Sequence, residues 1–122
     1  MKAKVTKIRP LNFSFDGYTP ENVSHFYFPA EALIGPEDND GAEIFSFEVS
    51  SPSWFAENQL DRPRFARHWI FMDCYDEIAL KALIVETVET VESIEGECWE
   101  DIATKLSRFM FWEFEDYQPY NP

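Results

Sequence analysis

Apolar and polar positions alternate most strictly in Ala42–Ser50, AEIFSFEVS, with Phe45, Phe47 and Val49 on one side and Ile44, Ser46 and Glu48 on the other. Period two predicts a strand with one buried face. Three other stretches share the character less cleanly. Residues 3–15 offer Val5, Ile8, Leu11, Phe13 and Phe15 as buried positions, interrupted by Pro10, which suits an edge or a bend. His25–Ile34, HFYFPAEALI, is aromatic-rich and broken or edged at Pro29, and Phe65–Tyr75, FARHWIFMDCY, reads as a further strand. Turn chemistry separates them at Asp16-Gly17, at Thr19-Pro20, and at Gly35-Pro36 with Asp38-Asn39-Asp40-Gly41.

Helical spacing takes over elsewhere. Ser51-Pro52 is a helix start, serine as N-cap and proline at the first helical position, for a short helix ending near Leu60. Trp99, Ile102, Ala103 and Leu106 recur at i, i+3, i+4 and i+7, predicting a helix over Cys98–Ser107. Its first turn carries Glu97, Glu100 and Asp101 and its end Lys105 and Arg108, as the helix dipole prefers.

The stretch Val85–Gly96, VETVETVESIEG, has a period of three, which fits neither element by itself. As a strand it mixes Val, Thr and Glu on both faces. Joined to the preceding turns it becomes the latter half of a helix capped by Asp76 and ended by Gly96. Leu80, Leu83, Ile84, Thr87, Val91 and Ile94 then share one side, with Val88 at its edge. Glu86, Glu89 and Glu92 fall opposite, with Lys81, Ile78 and Val85, while Glu95 belongs to the turn. The outer face is an acidic ridge interrupted by two aliphatic residues.

Composition sharpens this picture. A chain of 122 residues, 45% apolar and 17% aromatic, is one domain with material for a full core, so disorder is excluded. Its net charge is −13 and unevenly spread: residues 21–60 hold eight acids and no lysine or arginine, and residues 76–122 hold twelve acids against three bases. Phosphate backbones and anionic lipids repel such a surface, whereas a basic protein partner is drawn to it. Neither nucleic acid nor a membrane is expected as a partner. The N-terminal MKAKVTKIRPLNF has no apolar core of signal-peptide length and no run approaches a membrane span, so a cytoplasmic protein is expected.

Chemistry-bearing patterns are sparse. His25 and His68 lack a second ligand type at metal-site spacing, and Cys74 and Cys98 fit neither a zinc site nor a disulfide framework. A reduced pair is the plain reading of the cysteines, with a single bridge left open. No nucleophile elbow, H-E-x-x-H or phosphate-binding glycine loop occurs. Arg62, Arg64 and Arg67 among aromatics are better read as an internal salt-bridge belt than as a nucleic-acid site. No enzyme, metal or cofactor is expected.

Two blocks carry a resemblance. Gly35-Pro36 followed by GAEIFSFEVSSPSWFAEN (Gly41–Asn58) resembles an I-G, strand, S/T-P-x-W pattern; the departure is Phe55, where an aliphatic residue is expected after the tryptophan. EGECWEDIATKLSRFMFWEFEDY (Glu95–Tyr117) resembles a closing G-E-x-W-x-E/D helix and terminal W-E-F-E-D-Y. Together they resemble the Immunity protein 8 family of bacterial polymorphic toxin systems, from about Ile34 to Tyr117. The resemblance implies an α+β protein without catalytic residues that binds and neutralises a toxin encoded beside it. Which toxin is left open, as is the oligomeric state.

The expectation is thus a single α+β domain over 1–122: an antiparallel sheet of about four strands packed with two C-terminal helices and one short helix. The function expected is an immunity protein covering a basic active-site or substrate cleft of its toxin with acidic surface. The alternative is an acidic adaptor or nucleic-acid mimic. Candidate partner contacts are Ile78, Val85, Glu86, Glu89 and Glu92 on the ridge, and Glu113, Glu115 and Asp116 in the tail. Trp54, Trp99, Trp112 and Phe114 are expected in the core.

Overall fold

A computed structural model describes residues 1–93 and 98–116. In chain order the elements are β1 (Ala3–Pro10), β2 (Tyr27–Pro36), β3 (Glu43–Ser50), α1 (Pro52–Gln59), β4 (Trp69–Phe71), α2 (Glu77–Ser93), α3 (Trp99–Leu106) and β5 (Phe111–Trp112). The class is α+β. β1, β2 and β3 form an antiparallel meander, and the outer edge of β3 is shared by two short strands. β4 takes Glu48–Ser50 in parallel and β5 takes Phe45–Ser46 antiparallel. The sheet is therefore mixed, not wholly antiparallel: α1 and the loop after it form the crossover that a parallel neighbour requires. The strand expected over Phe65–Tyr75 shrinks to three residues, because the chain before Trp69 runs irregularly and His68 takes φ +67°.

Alternation on β3 works as the pattern requires. Phe45, Phe47 and Val49 are buried beside Phe28, Ala30, Ala32 and Ile34 of β2. These face α2 and α3, whose buried residues complete one core with Met110. Pro29 sits inside a central strand without breaking it. Its carbonyl accepts Leu11 N–H at 2.9 Å, so its own nitrogen also points to the β1 side, where β1 has just ended at Pro10. Gly35 has a steric role: a Cβ there would lie 1.9 Å from the carbonyl oxygen of Gly41 in the β2–β3 loop.

Helix starts follow their caps. Ser51 Oγ accepts Trp54 N–H at 3.2 Å and Phe26 N–H at 3.1 Å, joining the start of α1 to the residue before β2. Asp76 Oδ1 accepts Ala79 N–H at 3.1 Å and caps α2. Leu80, Ile84, Val88 and Val91 are the buried stripe of α2. Val88 thus lies within the stripe, not at its edge, and Leu83 is 44% exposed, a turn of the face by about 40°. The cause is that α2 seats on both β1 and α3, which favours the i, i+4, i+8 row. The threonines of the triplets stay helical by bonding back one turn: Thr87 Oγ1 donates to Leu83 O at 2.7 Å and Thr90 Oγ1 to Glu86 O at 2.8 Å. Ile94, Glu95, Gly96 and Glu97, and so the expected stop at Gly96, lie outside the described residues.

Candidate interaction surface

The solvent face of α2 carries four of the expected contacts. Ile78 is 79% exposed, Val85 41%, and Glu86 and Glu89 are exposed beside them. Glu92 is half-buried instead, its Oε2 accepting Ala3 N–H at 2.8 Å, which clips the helix to the start of β1. Lys81 lies 3.8 Å from Glu77 one turn away and 5.2 Å from the ring centre of Phe15. In the tail, Glu113 and Asp116 are exposed. Glu115 is paired with Arg67, which also donates to Ser107 O at 3.4 Å. The arginines divide: Arg67 braces the tail, whereas Arg64 lies over Phe55 and Trp69 at 5.4 and 5.8 Å from their ring centres. The expected salt-bridge belt against the acidic helices therefore does not form among the described residues: Arg67 pairs with the tail, and Arg64 has an aromatic seat.

A second feature is the sheet face turned away from α2 and α3. α1 covers one end of it through Trp54, stacked on Tyr27 at 4.4 Å, and Phe55, edge-on to Trp69 at 4.9 Å. Trp54 therefore docks its helix, but on the opposite face from the main core. Phe55 suits its place because Phe71 also meets it edge-on at 5.0 Å. Tyr27 donates to Glu48 Oε2 at 2.7 Å; burial and then that carboxylate push its pKa up to about 12. On the helix side, Ile70, Leu83 and Phe109 line an apolar groove of about 400 Å³ together with Ile84 and Met110.

The tail and the start of α3 form a second concavity, of about 460 Å³, lined by Glu43, Trp99, Glu100, Trp112, Phe114 and Asp116. Trp99 Nε1–H and Trp112 Nε1–H both donate to Glu43 Oε1, at 2.7 and 2.9 Å. Phe45 backs the indoles from the core, edge-on to Trp99 at 6.2 Å and stacked on Trp112 at 6.4 Å. Phe114 stands edge-on to Trp112 at 6.1 Å and is 37% exposed. Trp99 and Trp112 pack against the core from its margin, and Phe114 is a pocket wall, not a core residue. No local pattern announces this pocket, because its six residues come from three distant segments.

Of the remaining chemistry-bearing groups, His25 has structural partners. His25 Nδ1 lies 2.9 Å from Ser53 Oγ and Nε2 lies 3.0 Å from Glu57 Oε2. Ser53 Oγ also donates to Ser24 O at 2.9 Å, so its proton is committed away from the ring and the trio braces α1. His68 is buried, edge-on to Phe111 at 4.1 Å. Burial and then Arg67 hold its pKa below the usual value. Neither ring nitrogen meets a partner at hydrogen-bonding geometry, although the Phe109 backbone lies near enough to offset part of that shift. Cys74 and Cys98 are both exposed and free. Among the described residues no group of three His, Cys, Asp or Glu is placed to hold a metal ion. No described helix is long and apolar enough to cross a membrane.

No curated protein and no solved structure matches the chain. A family model does, described as Immunity protein 8, and it spans residues 3–117, including both sequence blocks, the β1 edge and every pocket residue. Toxin neutralisation is the role that description carries, and with its match over nearly the whole length the chain belongs to the Immunity protein 8 family.

Proposed function

We propose that the protein neutralises a cognate toxin by direct binding, laying acidic surface over a basic active-site or substrate cleft and performing no catalysis itself. The observation that carries this reading is the solvent face of α2, where exposed Ile78 and Val85 stand beside Glu86 and Glu89 on a chain of net charge −13. Apolar side chains ringed by charge are the make-up of a binding surface whose centre supplies affinity and whose rim supplies rate. On this reading the partner is a basic toxin domain of a bacterial polymorphic toxin system, met in the cytoplasm, and neither nucleic acid nor a membrane is engaged. Glu113 and Asp116 extend the acidic surface from the tail. Glu92 and Glu115 contribute charge while tied to Ala3 and Arg67.

The test uses the toxin domain encoded in the neighbouring reading frame, purified and mixed with this protein. A stoichiometric complex and loss of toxin activity are expected. Glu86→Lys with Glu89→Lys should slow association roughly tenfold at low salt and flatten its salt dependence. Unchanged association in that variant refutes the α2 surface, and failure of the wild-type proteins to bind refutes direct neutralisation.

A further inference from the structure

Glu43, Trp99, Glu100, Trp112, Phe114 and Asp116 combine two features that seldom serve the same ligand. The aromatic walls favour something flat or apolar, and the carboxylates favour a cation. A weakly hydrated organic cation satisfies both, and a guanidinium adds a flat face and an N–H fork. A metal ion does not fit, since no three acidic, histidine or cysteine side chains among the described residues converge closely enough to ligate one. The concavity of about 460 Å³ is the size for an organic group.

Geometry refines the choice. Both indole N–H groups end on Glu43 Oε1, so that carboxylate is held at the base of the pocket and the two rings are fixed by one anchor. Glu100 and Asp116 are exposed, and neither has an ion-pair partner among the described residues. The two indole planes stand nearly at right angles, since Phe45 is edge-on to Trp99 and parallel to Trp112, so a guanidinium stacks on one indole face and presents its N–H fork to the carboxylates. Such a site fits a net charge of −13 and a basic partner, and Asp116 joins it to the acidic tail.

We propose that this pocket receives an arginine side chain of the partner toxin, stacked on one indole face and held by Glu100 and Asp116. The proposal rests on the direct-binding reading but names a different surface from the α2 face. Its first test needs no toxin. Nα-acetyl-arginine amide is titrated into 15N-labelled protein while the four indole Nε1–H signals are followed, with the neutral isostere Nα-acetyl-citrulline amide as control. Trp99 and Trp112 should shift saturably, with a dissociation constant on the order of 1 mM, while Trp54 and Trp69 stay still. Glu100→Gln with Asp116→Asn should weaken this at least fivefold and leave indole dispersion intact. Equal response to citrulline, or no response to arginine, overturns the proposal.

The second test is made on the complex. The same double substitution should weaken toxin binding about tenfold, chiefly through faster dissociation. A wild-type complex unaffected by it overturns the pocket as a toxin contact and leaves direct binding standing. If no wild-type complex forms, direct binding fails, and with it the pocket's role as a toxin contact.

Discussion

Glu43→Ala removes the acceptor that joins two tryptophans from different ends of the C-terminal segment. Both Trp99 and Trp112 donate to the same oxygen, at 2.7 and 2.9 Å. Hydrogen bonds to a charged acceptor contribute about 1.5–3 kcal/mol each. Both indoles are half-buried, so water partly replaces the lost acceptor and the lower end applies. A total loss of about 2–3 kcal/mol follows. For 122 residues the unfolding entropy is about 0.26 kcal/mol/K, so the melting temperature should fall by roughly 8–12 °C. Urea unfolding followed by tryptophan fluorescence and by circular dichroism reads the change, with the slope m preserved if the folded state stays compact. Glu43→Gln keeps an oxygen for the indoles and should lose about half as much. A cycle with Trp112→Phe should show a coupling of about 1 kcal/mol. A Glu43→Ala protein within about 0.5 kcal/mol of wild type refutes the shared anchor, and the pocket loses its rigid base.

The phase of α2 is checked by a contrast: Val88→Ala, though the smaller truncation, should cost about 2–3 kcal/mol, and Leu83→Ala under about 1, measured by chemical denaturation. Gly35→Ala should cost about 2 kcal/mol or more, because its Cβ meets the Gly41 backbone at 1.9 Å, whereas Gly41→Ala meets only the Asn39 side chain at 3.1 Å and should be mild; thermal melts rank the two. Burial and then Arg67 lower the pKa of His68 in the folded chain, so around and below its ordinary pKa of about 6.5 the unfolded chain binds more protons. Stability should therefore fall as pH drops below about 6.5, by at most about 1.4 kcal/mol per pH unit from this group. His68→Asn tolerates the φ of +67° and should remove that part of the slope in unfolding curves taken from pH 7.5 to 5.

What was readable in the sequence was what a single window contains. β3 declared itself through strict alternation, and α1 and α2 through Ser51, Pro52 and Asp76, since caps act on the three or four residues that follow. The α+β class followed from the order of those windows. β4 did not, because a three-residue parallel strand is defined by its neighbour and has too few positions for a period. The phase of α2 was misplaced by a fraction of a turn, since the triplets supply aliphatic residues at every azimuth and seating on β1 and α3 selects among them. Glu92 illustrates the same limit: its position looks outward until the start of β1 arrives to claim its carboxylate. The resemblance pointed to Trp99 and Trp112 as a pattern, but the reason for keeping both is Glu43, which lies in the other block.

The outer edge of β3 has a bearing on when the protein becomes usable. That edge is closed by β4 and by β5, and Trp112 reaches back 69 positions to Glu43. A nascent chain therefore carries an uncapped strand edge, and half an acidic pocket, until the segment through Trp112 has left the ribosome. Contacts so distant along the chain form slowly, and an open edge is a template for association with another chain. On the direct-binding reading, the pocket's share of the contact becomes available only after Trp112 and Asp116 have been added, later than the α2 face.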